Sequence, residues 1–164
     1  MKRKRFLAIL LVVMTLMSIC TFSVSASNVD SNFEIHIPNS NVVASSTYAA
    51  RVKDNSSSAY VNYKTRVGGS AASGPYQFEV QIWGSYTSSG SFTDCSSYTI
   101  NGIARTKAIV TRGTVGLVRQ DVYERYGAYS YAQIYGKRIS ESGIALGCWS
   151  PDSIGSYSYY NSIA

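Results

Sequence analysis

Leucine and histidine are nearly missing from most of this 164-residue chain. Past residue 26, leucine stands only at Leu117 and Leu146, and the single histidine is His36. With Glu and Lys sparse as well, the residues that build long amphipathic helices are missing, which excludes a helical bundle. One histidine also restricts catalysis, because a Ser-His-Asp or Cys-His site has only His36 to use. His36 alternates with Glu34 on the polar side of a short apolar segment, where an exposed strand histidine is expected. The Cys148-Trp149 pair echoes papain-type proteases, but it lacks their Gly-x-Cys pattern and lies downstream of the histidine instead of upstream. One histidine and two distant cysteines make no zinc ligand set. No Asp-x-Asp-x-Asp-Gly loop is present, although the loop carboxylates Asp54, Asp94 and Asp152 remain open to calcium. The nine acids include no recognisable general acid–base pair, and no glycine-rich phosphate loop opens a helix. No catalytic residue, cofactor or metal site is therefore expected, and the chain does not read as an enzyme.

Basic charge is also scarcer than it looks. Four of the 15 Lys and Arg lie in Lys2-Arg3-Lys4-Arg5, leaving 11 bases against 9 acids, a net charge of +2. That surface offers no clustered footprint for nucleic acid. The four charges precede an apolar run from Phe6 to about Met17, followed by Ser23-Val24-Ser25-Ala26. This is the three-part layout of a secretory signal peptide, with Val24 and Ala26 at the −3 and −1 positions of the cleavage site. Its apolar core is shorter than the ~18–20 residues a bilayer requires, so no stable membrane span is expected after cleavage. Ile19 before Cys20 does not fit lipoprotein processing. The expectation is a helical signal over residues 1–26 and one secreted domain over 27–164.

What remains is rich in tyrosine, serine, valine and glycine. All 14 tyrosines and both tryptophans fall after residue 47. Such a chain prefers strands. Phe33, Ile35 and Ile37 alternate with Glu34 and His36. Ala50 and Val52 alternate with Arg51 and Lys53, and Val61, Tyr63, Thr65 and Val67 with Tyr60, Asn62, Lys64 and Arg66. The clearest strand runs from Tyr76 to Tyr86, with Tyr76, Phe78, Val80 and Ile82 opposite Gln77, Glu79, Gln81 and Trp83. Spaced basic pairs such as Arg51 and Lys53 read as a solvated sheet face. Lys107 to Val118 is extended with breaks at Gly113 and Gly116. Residues 120–139 fit a helical stripe about as well as a strand, and the tyrosines and glycines favour strands with a turn near Gly127. Ile144 to Leu146 is a last short strand, Trp149 to Asp152 a turn, and the tail from Tyr157 pairs or frays. Seven or eight short strands with polar faces predict an all-β, antiparallel β-sandwich or small barrel. Export makes a Cys95–Cys148 disulfide the expected state, stabilising by ~4 kcal/mol on the chain-entropy account.

Aromatic rings on a wet sheet face stack on sugars or anchor protein partners. Trp83, Tyr60, Tyr86, Tyr129, Tyr131 and Tyr135 form the expected binding surface. Cross-strand aromatic packing explains the same rings without any partner.

The stretch Gly147-Cys148-Trp149-Ser150-Pro151-Asp152-Ser153 carries a Gly-x-Trp-Ser-Pro-Asp-Ser ending. With Val122-Tyr123-Glu124-Arg125-Tyr126-Gly127, Ala132, Arg51 to Ser57 and Tyr60-Val61, it resembles small uncharacterised secreted proteins of Gram-positive bacteria. Cys148 departs from that pattern, which has a small aliphatic residue there, so a disulfide lies outside the shared design. The resemblance implies a secreted β domain, with an association by analogy to lactococcin-972-like bacteriocins. The first expectation is a secreted, non-enzymatic β-sandwich that binds a cell-surface, glycan or protein partner. A bacteriocin-like toxin or accessory protein stands second, and an exported hydrolase a distant third.

Overall fold

The first strand, β1 (Ser31–Ile37), shows how the chain is read into structure: Phe33, Ile35 and Ile37 are buried, and Glu34 and His36 face outward. In this computed structural model, residues 30–64, 66–67, 70–71 and 74–164 are described. The signal expected at residues 1–26 lies outside them.

Two antiparallel sheets enclose the core. The first runs β1, β12 (Gly143–Ser150), β4 (Ala59–Tyr63), β10 (Val115–Val118). The second centres on β11 (Ser130–Arg138) and β7 (Gln77–Ser85). Beyond β11 lie β2 (Val43–Ser45) and β3 (Arg51–Lys53), which pair with successive parts of it. Beyond β7 lie β8 (Thr93–Asp94) and β9 (Ala108–Thr111). A small hairpin joins β5 (Arg66–Val67) to β6 (Ser70–Ala71). The fold is the expected all-β one, with twelve described strands instead of seven or eight, because the runs expected at 60–67 and 107–118 are each divided in two and short pairings such as β2 and β8 are added.

The strand faces follow from period-two alternation. Phe78, Val80 and Ile82 of β7, Val61 and Tyr63 of β4, and Ala132 and Ile134 of β11 meet the β1 residues between the sheets. Phe78 receives the rings of Phe33 and Tyr63 edge-on, with centroids 6.5 and 5.1 Å away. Each large apolar side chain so buried stabilises by roughly 1.5–3 kcal/mol. The sheets also join at a corner, where Ser46 bridges to Ile35 of β1 and donates its N–H to Ile134 O of β11.

Four segments depart from expectation. Residues Val122–Tyr126 form a short helix, α1, and not a strand. Its Val122 and Tyr126 pack over Gly84 of β7, where an added Cβ would lie 2.9 Å from both, so the missing side chain of a neighbour seats the helix. A turn at Gly127 and strand β11 follow as expected. Gly113 (φ +84°) does turn the chain between β9 and β10, whereas Gly116 lies inside β10. Trp149 and Ser150 are buried strand residues of β12 and not part of a turn. Lys53, expected in solvent, is 0% exposed.

The tail is paired. Leu117 N–H donates to Ser158 O and Leu117 O accepts from Tyr160 N–H, so residues 158–160 lie along the outer side of β10.

Candidate functional site

On the first sheet, β4 turns Tyr60 outward, next to Ser150 at the end of β12. The chain after β12 loops back over them and, with Asp30 just before β1, encloses a cavity of about 460 Å³. Asp30, Tyr60, Ser150, Asp152, Ser153 and Tyr157 are among its lining residues. The Tyr60 and Tyr157 rings are tilted at 55° with centroids 5.2 Å apart. Burial raises the Tyr60 phenol above its ordinary value, opposed by the hydrogen bond from Asn62 Nδ2. The cavity thus combines two aromatic walls with one exposed carboxylate and hydroxyl groups.

Behind this cavity lies a buried polar cluster. Lys53 Nζ donates to Asp152 Oδ1 and Pro151 O, each at 2.7 Å, and to Ser57 O. Lys53 is 0% and Asp152 3% exposed. Asp152 Oδ2 accepts from Asp54 N–H at 3.2 Å, and Oδ1 from Ser57 Oγ–H at 3.4 Å. Gln120 Nε2 donates to Ser57 O at 2.7 Å. Burial pushes the Lys53 ammonium below its ordinary value, and the Asp152 carboxylate opposes that shift. Burial, and then the charge of Asp152, hold the Asp54 carboxyl above its ordinary value.

The expected aromatic surface splits into separate places. Trp83 and Tyr135 stack on the outer face of the second sheet, with ring centroids 4.4 Å apart, and Tyr131 shares that face. Trp83 Nε1 donates to Gln81 Oε1, and Gln81 Nε2 to Glu79 Oε1, so this polar face is an ordered ladder. Tyr86 stands at the end of β7, edge-on to Tyr126. Tyr129, at the start of β11, sits in a left-handed turn (φ +62°). Tyr60 alone belongs to the cavity of the first sheet.

A second cavity of about 200 Å³ lies over Glu79 and Gln81, beneath the segment from Ser96 to Lys107. Arg105 ties that segment down through Asp121 and Cys95 O. Asp94 also holds it, accepting from Ser96 N–H and Oγ–H at 2.8 and 2.9 Å.

The expected disulfide is not formed. Both cysteines are free thiols and belong to different sheets: Cys95 follows β8, and Cys148 lies within β12. Cys95 Sγ–H donates to Thr93 O at 3.3 Å, and Cys148 Sγ–H points to Asp30 Oδ2 at 3.6 Å. Burial pushes the Cys95 thiol up to about 11, and it pushes the Cys148 thiol upward too. Of the three loop carboxylates open to calcium, that of Asp152 accepts from the Lys53 ammonium and from the backbone N–H of Asp54, while Asp94 caps a turn elsewhere. No group of three or more His, Cys, Asp or Glu side chains suited to a metal occurs among the described residues. His36 is exposed, with Nε2 2.7 Å from Glu34 Oε1. No helix among the described residues is long and apolar enough to cross a membrane.

Sequence reasoning missed Asp30 and Tyr157, placed Lys53 in solvent, and took Asp152 only as a loop carboxylate open to calcium. The Trp-Ser-Pro-Asp-Ser motif did contain Asp152, and its unusual composition was the one signal pointing there. A family model described as a protein of unknown function (DUF2712) matches residues 21–153. No curated protein and no solved structure matches the chain.

Proposed function

The chain belongs to the DUF2712 family, and we propose that it is a secreted, non-enzymatic protein that binds a cell-envelope glycan in the cavity that Tyr60 and Tyr157 line together. The observation that carries this reading is the pairing of two tyrosine rings with Asp30, Ser150 and Ser153 around about 460 Å³. Sugars present apolar C–H faces and a rim of hydroxyls, and such a site offers rings for the first and hydrogen-bonding groups for the second. The volume accommodates one or two sugar rings, within the usual range of ~300–1,000 Å³ for small-molecule sites. The stacked Trp83–Tyr135 pair is a poorer platform, because Tyr135 already covers the indole face.

Purified protein sedimented with insoluble cell-wall material tests the reading. Tyr60→Ala and Tyr157→Ala should each weaken retention at least about tenfold, the loss of one stacking contact. Trp83→Ala should leave it unchanged. Equal retention of the two tyrosine variants and the parent refutes the assignment of the cavity. Growth inhibition of related strains by the soluble protein would favour a bacteriocin-like activity instead.

A further inference from the structure

Lys53 and Asp152 are 99 residues apart in sequence, yet their functional groups meet at 2.7 Å. A buried ion pair is an expensive arrangement, since each charge loses hydration worth several kcal/mol. Moving one proton from the ammonium to the carboxylate removes both charges. It leaves an amine lone pair beside a carboxylic acid, both held still by the fold. Groups so placed react with effective molarities on the order of 10⁵ M or more.

We propose that Lys53 and Asp152 are joined by an intramolecular amide bond that the folded chain forms by itself. Lys53 Nζ attacks Asp152 Cγ, a C–N bond forms, the Cγ–Oδ1 bond breaks, and Oδ1 leaves as water. The –NH₃⁺ and –COO⁻ pair becomes –NH–CO– plus H₂O, so no oxidant, cofactor or other reactant is needed. Negative charge building on Oδ2 meets the Asp54 N–H, 3.2 Å away and already aimed at it. We assign the Asp54 carboxyl, which interacts through its charge with both Asp152 and Lys53, the transfer of the proton from Nζ to the departing oxygen. Its Oδ1 is buried with no hydrogen-bond partner among the described residues, which leaves it unoccupied for this role. Asp152 also lines the large cavity, and that gives the water an exit.

The condensation gives up two of the surrounding hydrogen bonds, from Nζ to Ser57 O and from Ser57 Oγ–H to the departing Oδ1, and keeps the others. The single amide N–H keeps Pro151 O, 2.7 Å from Nζ. Ser57 O loses the lysine but still accepts from Gln120 Nε2 at 2.7 Å. Neither carbonyl is orphaned. The bond does not depend on what the cavity binds.

Mass spectrometry of the wild-type protein is the decisive experiment, and it requires no variant to fold. The intact mass should fall about 18 Da, one water, below that of the sequence for the N-terminus actually found. Trypsin should release a branched peptide joining Val52–Lys64 to Ile139–Ala164. Lys53→Arg and Asp152→Ala should restore the full mass. Asp54→Asn, refolded from denaturant, should link at least tenfold more slowly. A full wild-type mass overturns the proposal. So does a water loss confined to a linear peptide, the signature of a succinimide at Asp152-Ser153. Unchanged linking in Asp54→Asn overturns the role given to that carboxyl.

Discussion

Replacing Gly136 by alanine and Ile37 by valine, singly and together, tests how the two sheets meet. Gly136 lies near the end of β11, and a Cβ there would stand 2.4 Å from Ile37 Cδ1 of the opposite sheet. Ile35 Cγ2 and Phe78 Cδ2 follow at 3.0 and 3.1 Å. Overpacking of this kind costs ~1–3 kcal/mol, offset by ~0.4–1 kcal/mol from restricting the unfolded chain. Gly136→Ala should therefore destabilise by about 1–2 kcal/mol. Ile37→Val deletes the methyl that clashes and leaves a gap, costing ~0.5–1.5 kcal/mol alone. In the double variant the new alanine methyl occupies that gap, so the total should be about 1 kcal/mol or less. Independent effects would sum to ~1.5–3.5 kcal/mol. Urea unfolding followed by tryptophan fluorescence measures all four corners, with buried Trp149 as the reporter. Additivity within ~0.5 kcal/mol would refute the close approach of β11 to β1.

Asp121→Asn leaves the Arg105 guanidinium buried without its carboxylate and should cost ~3–5 kcal/mol, with faster hydrogen exchange at residues 96–105. A loss below ~1 kcal/mol would mean the segment is held by other contacts. Because the folded state raises the Cys95 thiol from 9.0 to about 11, it keeps a proton that the unfolded chain releases. Its contribution is therefore neutral below pH 8 and turns destabilising between pH 9 and 11, by roughly 2 kcal/mol at the top. The parent should lose that much more stability across the window than Cys95→Ala; parallel pH profiles would contradict the burial argument. Tyr160→Phe removes the 2.8 Å hydrogen bond to Thr114 Oγ1 and should cost about 1 kcal/mol in thermal unfolding. An unchanged midpoint would show that the tail is held by its backbone bonds alone.

Much of the sandwich was legible because period-two alternation is unambiguous where one face is aliphatic, as at Phe33-Ile35-Ile37 and Phe78-Val80-Ile82. It fails where both faces are mixed. Arg51 and Lys53 do share a face, but alternation cannot say which face is inward, and here Val52 is the exposed one. What draws Lys53 inside is a carboxylate 99 residues away, a pairing no local pattern encodes. The helix at 122–126 has the same kind of cause, since its seat is the bare backbone of Gly84. The cavity was half legible. Tyr60 follows from the strand pattern, whereas Tyr157 reaches it only through the return of the tail.

That returning tail has a consequence for the protein in company. A sheet edge with free N–H and C=O groups is a template for a neighbouring chain. On the first sheet, residues 158–160 occupy β10 at Leu117, and the Ser46–Thr47 corner occupies β1 at Glu34 and Ile35. Both margins of that sheet are thus engaged by the molecule's own backbone. At high concentration a neighbouring chain therefore finds those stretches of the first sheet's margins closed to strand pairing.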